Sequence, residues 1–356
     1  MPNIAIGKGG IFMKKFLSML AVAAMSAMMF AGCGGAAGTE GDAAQDSADT
    51  SGVAMETPVD IGIIQLMEHP ALDASREGFV AALAEAGYTD GDKINIELQN
   101  AQGDQSNLKT ISQKFVSDGK DLILAIATPA AQAIATETTD IPILVTAVTD
   151  PAESGLVEAN DAPNCNISGT SDLTPVAEQI DLLTKILPDA KKITIMYCSG
   201  EQNSLIQADM AEEAAKALGL EVERKTVTST NDVAQVTESV LGTCDAVYIP
   251  TDNVLASSMP LVTSITNPAG LPVIVGETGM VNGGGLASVA IDYNDLGKLT
   301  GKMAAQLIEG ADIKTMPIQY AENPELVINE TAAAELGITI PDDIKATATV
   351  ANTTNE

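Results

Sequence analysis

The chain has 356 residues, 46% hydrophobic and 3% aromatic, with 18 Lys+Arg, 48 Asp+Glu and one His. That length fills two compact domains, and a formal charge of -30 excludes a nucleic-acid binder, which needs a basic face toward phosphate. A single histidine excludes multi-His zinc sites. Arg76 and Arg224 are the only guanidinium groups, so anion recognition falls mainly to backbone N–H groups and hydroxyls.

The N-terminus reads as an address. Met13-Lys14-Lys15 precede an apolar run over residues 16–30 that closes on Ala31-Gly32-Cys33. A basic start, an apolar stretch of this length and small residues at its end make a secretory signal over residues 1–32, too short for a spanning helix. Met13 is the expected start. Small residues before Cys33 resemble the lipobox of bacterial lipoproteins, in which that cysteine is lipidated and anchors the chain to a membrane. Losing residues 1–32 removes three lysines and no acid. Residues 33–58 are Gly-, Ala-, Asp- and Thr-rich with little to bury, as expected for a disordered tether. Cys165, Cys198 and Cys244 match no metal spacing and read as idle thiols or, alternatively, one disulfide.

Strand–helix alternation begins at residue 60. Residues 60–66 form an apolar strand, and a helix opens at Pro70 with Leu72, Phe79 and Leu83 on one face. A strand over 93–98, a helix over 106–118, a buried strand over 121–127, a helix at Thr128-Pro129 and a strand over 141–148 follow. The scheme then restarts: strand 192–197, helix 204–218, strand 221–227, helix 231–241, strands 245–250 and 271–275. Pro260 interrupts the next helix, which should start near Ser258 or kink there. Residues 286–291 and 325–328 are further strands, and 294–308 and 330–336 further helices. The fold class is α/β: two Rossmann-like βαβ lobes with parallel sheets, one larger sheet being the alternative. The expected lobes are 59–171 plus 288–318 and 172–287 plus 319–345, joined by three crossings that make a hinge, with 346–356 as a tail.

Several stretches carry a family. Glu68-His69-Pro70-Ala71-Leu72-Asp73, Gln99-Asn100-Ala101-Gln102-Gly103-Asp104 and Ala127-Thr128-Pro129-Ala130-Ala131 resemble the ABC-transporter solute-binding lipoproteins of the tryptophan/tyrosine type. So do Thr146-Ala147-Val148-Thr149-Asp150-Pro151, Gly169-Thr170-Ser171-Asp172, Ile249-Pro250-Thr251-Asp252-Asn253 and Ile291-Asp292-Tyr293. The resemblance spans residues 59–340 in order. It implies a type I periplasmic-binding-protein fold, an amino-acid ligand closed between the lobes, an ABC permease with its ATPase as partner, an extracytoplasmic location and no enzymatic activity. Pro260 and Asn267-Pro268 depart from the pattern.

In open parallel sheets the crevice lies beyond the carboxyl ends of the strands, at helix N-termini. There Thr128 caps the helix opened by Pro129 and offers a hydroxyl and N–H groups to a carboxylate. Ala147 and Thr149 end the fourth strand, offering a carbonyl to an ammonium and a hydroxyl to a carboxylate. Asp252 is the first choice for the ammonium, by analogy with branched-chain amino-acid receptors; otherwise it caps a loop. Ser171 and Asp172 at the first hinge crossing, Asn203 and Ser204 at a helix start, and Glu277 after a strand rank lower. Tyr197 and Tyr293 are the expected aromatic walls. Glu68 beside His69 is within reach of the cleft, although His69 more simply caps the helix at Pro70. No cofactor or metal is expected, and the protein is expected to be a monomer. A sensory receptor subunit is the second hypothesis. An extracytoplasmic hydrolase or racemase is the third, against which stands the lack of a G-x-S-x-G elbow or phosphate loop.

Overall fold

The computed structural model describes residues 57–351. In chain order the first half runs β1 (Val59–Gln65), α1 (Pro70–Glu85), β2 (Ile94–Asn100), α2 (Gln105–Asp118), β3 (Leu122–Ile126), α3 (Thr128–Ala135), β4 (Ile143–Val148) and β5 (Ile167–Ser171). The second half runs α4 (Val176–Ile186), β6 (Lys192–Cys198), α5 (Gln202–Ala217), β7 (Glu221–Val227), α6 (Val233–Val240), β8 (Ala246–Ile249), α7 (Asn253–Ser257), α8 (Met259–Thr266), β9 (Val273–Val275), α9 (Thr278–Asn282) and β10 (Ala287–Ala290). The chain then returns for α10 (Tyr293–Ile308) and β11 (Gln319–Tyr320). It finishes with β12 (Glu325–Ile328), α11 (Glu330–Leu336), α12 (Asp342–Lys345) and β13 (Thr349–Val350).

Two sheets result, not one. The first is ordered β2-β1-β3-β4-β5-β11 and the second β7-β6-β8-β9-β10-β12-β13, with β10 and β12 antiparallel and the other pairs parallel. Every residue of β3, β4, β8 and β9 is buried, as continuous apolar runs covered by helices on both faces require. Three segments cross between the sheets, after β5, after β10 and after β11. This is the architecture that the resemblance implies.

Packing of α10 on α1 fixes the second crossing. A methyl at Gly297 would stand 2.0 Å from the Ser75 carbonyl oxygen, and one at Gly78 2.0 Å from that of Asn294. The two helix backbones touch, and only glycine permits it.

The expected lobe boundaries shift. β10 lies in the second sheet, so residues 288–290 do not belong to the first lobe; β11 lies in the first sheet, and β13 joins the second sheet instead of forming a tail. Two-residue strands such as β11 and β13 are too short to leave a periodic signal, and their membership is set by pairing. β5, α9 and α12 likewise went unpredicted as elements. The helix interrupted by Pro260 is resolved as two: α7 ends at Ser257, the N–H of the following Ser258 meets the Leu255 carbonyl at 3.1 Å, and α8 restarts with Pro260 in its first turn.

Candidate functional site

The carboxyl ends of both sheets face one enclosed cleft. Its cavity volume is only about 10 Å³, room for no more than a water molecule. The lobes are therefore closed, and a ligand of amino-acid size enters only when they part. From the first lobe and the hinge the cleft is lined by His69, Leu72, Ala147, Asp172 and Tyr293; the second lobe contributes Asn203, Thr251, Asp252, Asn253 and Glu277. A larger hollow, lined by Val59, Asp121, Pro142 and Leu307, opens elsewhere on the first lobe. It gathers apolar side chains around one exposed acid and lacks a converging polar set.

Two strained positions shape the first-lobe wall. Ala127 has φ 82 at the start of α3, and Ala147 has φ 55 near the end of β4. The pairing of β4 with β5 shifts register between Val145 and Val148, a bulge that turns the strand end out of the ladder. Gly169 on β5 accommodates it: a methyl there would stand 2.1 Å from the Val145 carbonyl oxygen. Left-handed alanines next to a cleft are where strain is retained for function.

Four buried carboxylates surround the cleft, and their pairing separates them. Asp252 is spent on backbone: its Oδ2 accepts the Cys198 N–H and its Oδ1 the Leu255 N–H, capping α7. Glu277 caps α9 through the N–H groups of Gly279 and Met280 at 2.6 and 2.9 Å. Glu201 accepts from the side chains of Asn203 and Asn253 and from the N–H of Val254. Asp172 alone keeps capacity. Its Oδ2 accepts the Tyr293 hydroxyl at 2.8 Å, and its buried Oδ1 has no hydrogen-bond partner among the described residues.

Burial raises all four. Asp172 is pushed up to about 6 by desolvation, which the Tyr293 and neighbouring Thr149 hydroxyls offset only in part. Glu277 is pushed up to about 7, first by burial and then by the charge of Asp172, against its two capping N–H groups. Glu201 is raised by burial and by Asp252, and Asp252 by burial. No Lys or Arg lines the cleft among the described residues. The cleft therefore presents acidic acceptors with no counter-charge in its lining among the described residues. The Cys198 thiol is driven to about 12 by burial and by Asp252 and Glu201, so it stays protonated and is no nucleophile.

Among the described residues, hydrogen bonds from two side-chain pairs link the lobes across the cleft. His69 Nε2 meets Asn253 Oδ1 at 3.0 Å, and Gln207 Nε2 donates to Thr149 Oγ1 at 3.0 Å while also contacting Thr251.

The structure brings together Ala147, Asp172, Asn203, Asp252, Glu277 and Tyr293 from the expected set. Thr149 is buried at the lobe contact. Thr128 is 1% exposed, and its hydroxyl lacks a partner among the described residues. It is not the expected cap: Ala127 occupies that position, and no side chain caps α3. Tyr197 is not a cleft wall. It belongs to the second-lobe core with Ile193 and Ile195, and the Arg224 guanidinium lies 5.9 Å from its ring centre. Ser171 turns into the hinge, donating to the Thr149 carbonyl at 2.6 Å, and Ser204 lies beneath Asn203 at 3.3 Å. Glu68 is exposed in an outer groove with Met67, Gln102 and Ser257. Its neighbour His69 points inward instead and makes no side-chain cap of α1. Sequence reasoning missed Glu201, Gln207, Thr251 and Asn253. Polar residues just after second-lobe strands were the available signal for Glu201, Thr251 and Asn253; Gln207, inside α5, gave none.

Among the described residues no helix is long and apolar enough to cross a membrane, and no cluster could hold a metal ion. Cys165, Cys198 and Cys244 are free thiols, which removes the disulfide alternative. Cys33 and the expected signal lie outside the described residues.

Comparison with known proteins gives a consistent picture. A family model described as ABC transporter substrate binding protein matches residues 60–351. A tyrosine-binding protein from Clostridioides difficile (strain R20291) is 41% identical over 317 residues, covering 89% of this chain and 90% of that protein. An ABC domain in complex with L-Trp from Streptococcus pneumonia superposes with a TM-score of 0.80 at 39% identity, covering 83% of this chain and 99% of that one. The ligand-free, open structure of a substrate binding protein with adhesive properties from Clostridium difficile gives 0.65 at 44% identity, covering 83% and 100%. The closed lobes here fit the L-Trp complex better than the open structure, despite the lower identity.

Proposed function

Since the chain belongs to the ABC transporter substrate-binding protein family, we propose that it closes its lobes around an aromatic amino acid and delivers it to a permease. The observation that carries this is Asp172. A buried carboxylate at the hinge with one unpartnered oxygen is the right acceptor for an α-ammonium, and the adjacent Tyr293 holds it in place. Without a cation in the cleft, the ligand carboxylate goes to the first turn of α3. There the amides of Thr128 and Ala130 precede the first intrahelical bond, from Ala131 to Ala127, and the unpartnered Thr128 hydroxyl stands beside them. A zwitterion held this way sits on the first lobe and the hinge, and closing the second-lobe wall of Asn203, Thr251 and Asn253 over it stabilises the closed form. The names of the relatives support the aromatic class: one binds tyrosine and another was solved with L-Trp.

Substrate-binding proteins of ABC importers work outside the cytoplasm. The segment ending in Ala31-Gly32-Cys33 supports export followed by lipidation at Cys33, which would tether a monomeric binding domain to the membrane near its permease. Family membership argues for binding and release of an unaltered solute. A thermal-shift screen of the purified protein against amino acids, peptides and sugars tests the reading. Aromatic amino acids should raise the melting temperature most. A shift confined to sugars or peptides would refute it.

A further inference from the structure

His69 is the chain's one histidine, it is 7% exposed, and its two ring nitrogens have different fates. Nε2 meets Asn253 Oδ1 across the cleft. The Asn253 amide is oriented from its other side, where its Nδ2 donates to Glu201. Glu201 receives N–H groups on both oxygens, from Asn203, Asn253 and Val254. Reversing the amide would set Asn253 Oδ1 against that carboxylate. The network therefore assigns the proton to Nε2, because the Asn253 oxygen can only accept. Burial lowers the pKa of His69, outweighing the Asn253 bond and the charge of Asp73, so the ring is neutral at pH 7. Nδ1 is then a lone pair in the cleft wall, buried and without a partner among the described residues.

A buried acceptor with no donor costs free energy unless the ligand supplies one. The α-ammonium is claimed by Asp172, where a carboxylate outcompetes a neutral imidazole. His69 follows β1 and Asp172 follows β5, and β1 lies three places from β5 in the first sheet. At about 4.8 Å per strand, their strand ends are roughly 14 Å apart. A ligand gripped at Asp172 reaches His69 only with a long side chain.

We propose that His69 Nδ1 accepts the ring O–H or N–H of the ligand side chain, so that the site selects aromatic amino acids with a polar hydrogen over those without. This rests on the amino-acid reading above and adds the residue that sets specificity within it. It favours tyrosine and tryptophan over phenylalanine. A site built to bond such a group rejects the analogue lacking it, because its own buried partner is then left unpaired.

Calorimetric titration of the purified full chain tests this with L-tyrosine, L-phenylalanine, L-tryptophan and 1-methyl-L-tryptophan. The wild type should bind each donor-bearing ligand at least about tenfold more tightly than its donor-less counterpart. In His69→Phe the tyrosine-to-phenylalanine ratio should fall to about one. Equal binding of tyrosine and phenylalanine by the wild type would overturn the assignment while leaving the amino-acid reading intact. So would a preference that survives in His69→Phe. If none of the four ligands binds the wild type, both fail. The wild-type ligand series decides the matter even if the variant does not fold.

Discussion

Replacing Asp172 by Asn removes a charge that folding buries without full compensation. Its carboxyl is raised from 3.8 to about 6 in the folded protein, so at pH 7.5 the ionised form costs about 3 kcal/mol of stability. The Asn oxygen can still accept the Tyr293 hydroxyl. Its amide group takes the place of the unpartnered Oδ1 and costs about 1–3 kcal/mol as a buried unpaired donor. The net change is a gain of about 0–2 kcal/mol, or a melting temperature unchanged to about 4 °C higher in the absence of ligand. Binding moves the other way. An ammonium that loses its only anionic partner forfeits about 2–5 kcal/mol, which is thirtyfold or more in affinity. The pH dependence has a definite sign. Because the folded pKa is raised, the wild type loses stability as pH climbs from about 4 through 6, so the gain from removing the charge is full above about pH 6, and below about pH 4 only the cost of the unpaired amide remains. Scanning calorimetry across pH, paired with ligand titration, reads both effects. A variant that melts several degrees lower and binds normally would refute the assignment of Asp172 as the ammonium acceptor.

Ligand affinity should itself fall as pH drops through about 6, where Asp172 takes up a proton, and stay nearly flat between pH 7.5 and 8.5; titrations at four pH values check this. Gly297→Ala should lower the melting temperature by several degrees, since the new methyl would lie 2.0 Å from the Ser75 carbonyl and push α10 off α1. Thr128→Ala removes one neutral hydroxyl while leaving the α3 amides, so titration should show a loss on the order of 1 kcal/mol. Cys33→Ala should move the protein from the membrane to the soluble fraction on cell fractionation.

Much of the fold was legible because parallel strands buried on both faces are continuous apolar runs. Residues 121–127 and 245–250 announced themselves that way. Pro260 correctly marked a break, although whether it started a helix or kinked one depended on the Ser258 turn. Lobe membership was harder. Residues 288–290 sit in the second sheet because β10 pairs with β9 and β12, and nothing in a four-residue strand reports its neighbours. The cleft was found by rule, at the strand ends, but the roles inside it were not. Asp252 was read at a strand end and Asp172 at a hinge crossing, and neither position reports a side chain's partners; only the structure shows backbone N–H groups saturating the first and leaving an oxygen of the second free. His69 looked like a helix cap, and its real partner, Asn253, is 184 residues away. Tyr197 was misplaced for a simpler reason: alternation along β6 puts its ring on the side of Ile193 and Ile195, inside the lobe.

The central claim is that the closed cleft holds the zwitterion of an aromatic amino acid. Isothermal titration of the purified protein with L-tyrosine and L-tryptophan at pH 7.5 addresses it most directly. The account predicts saturable one-to-one binding of at least one of them in the micromolar range or tighter, lost when the α-amino group is acetylated. Binding unaffected by acetylation, or no heat with either amino acid, would contradict it.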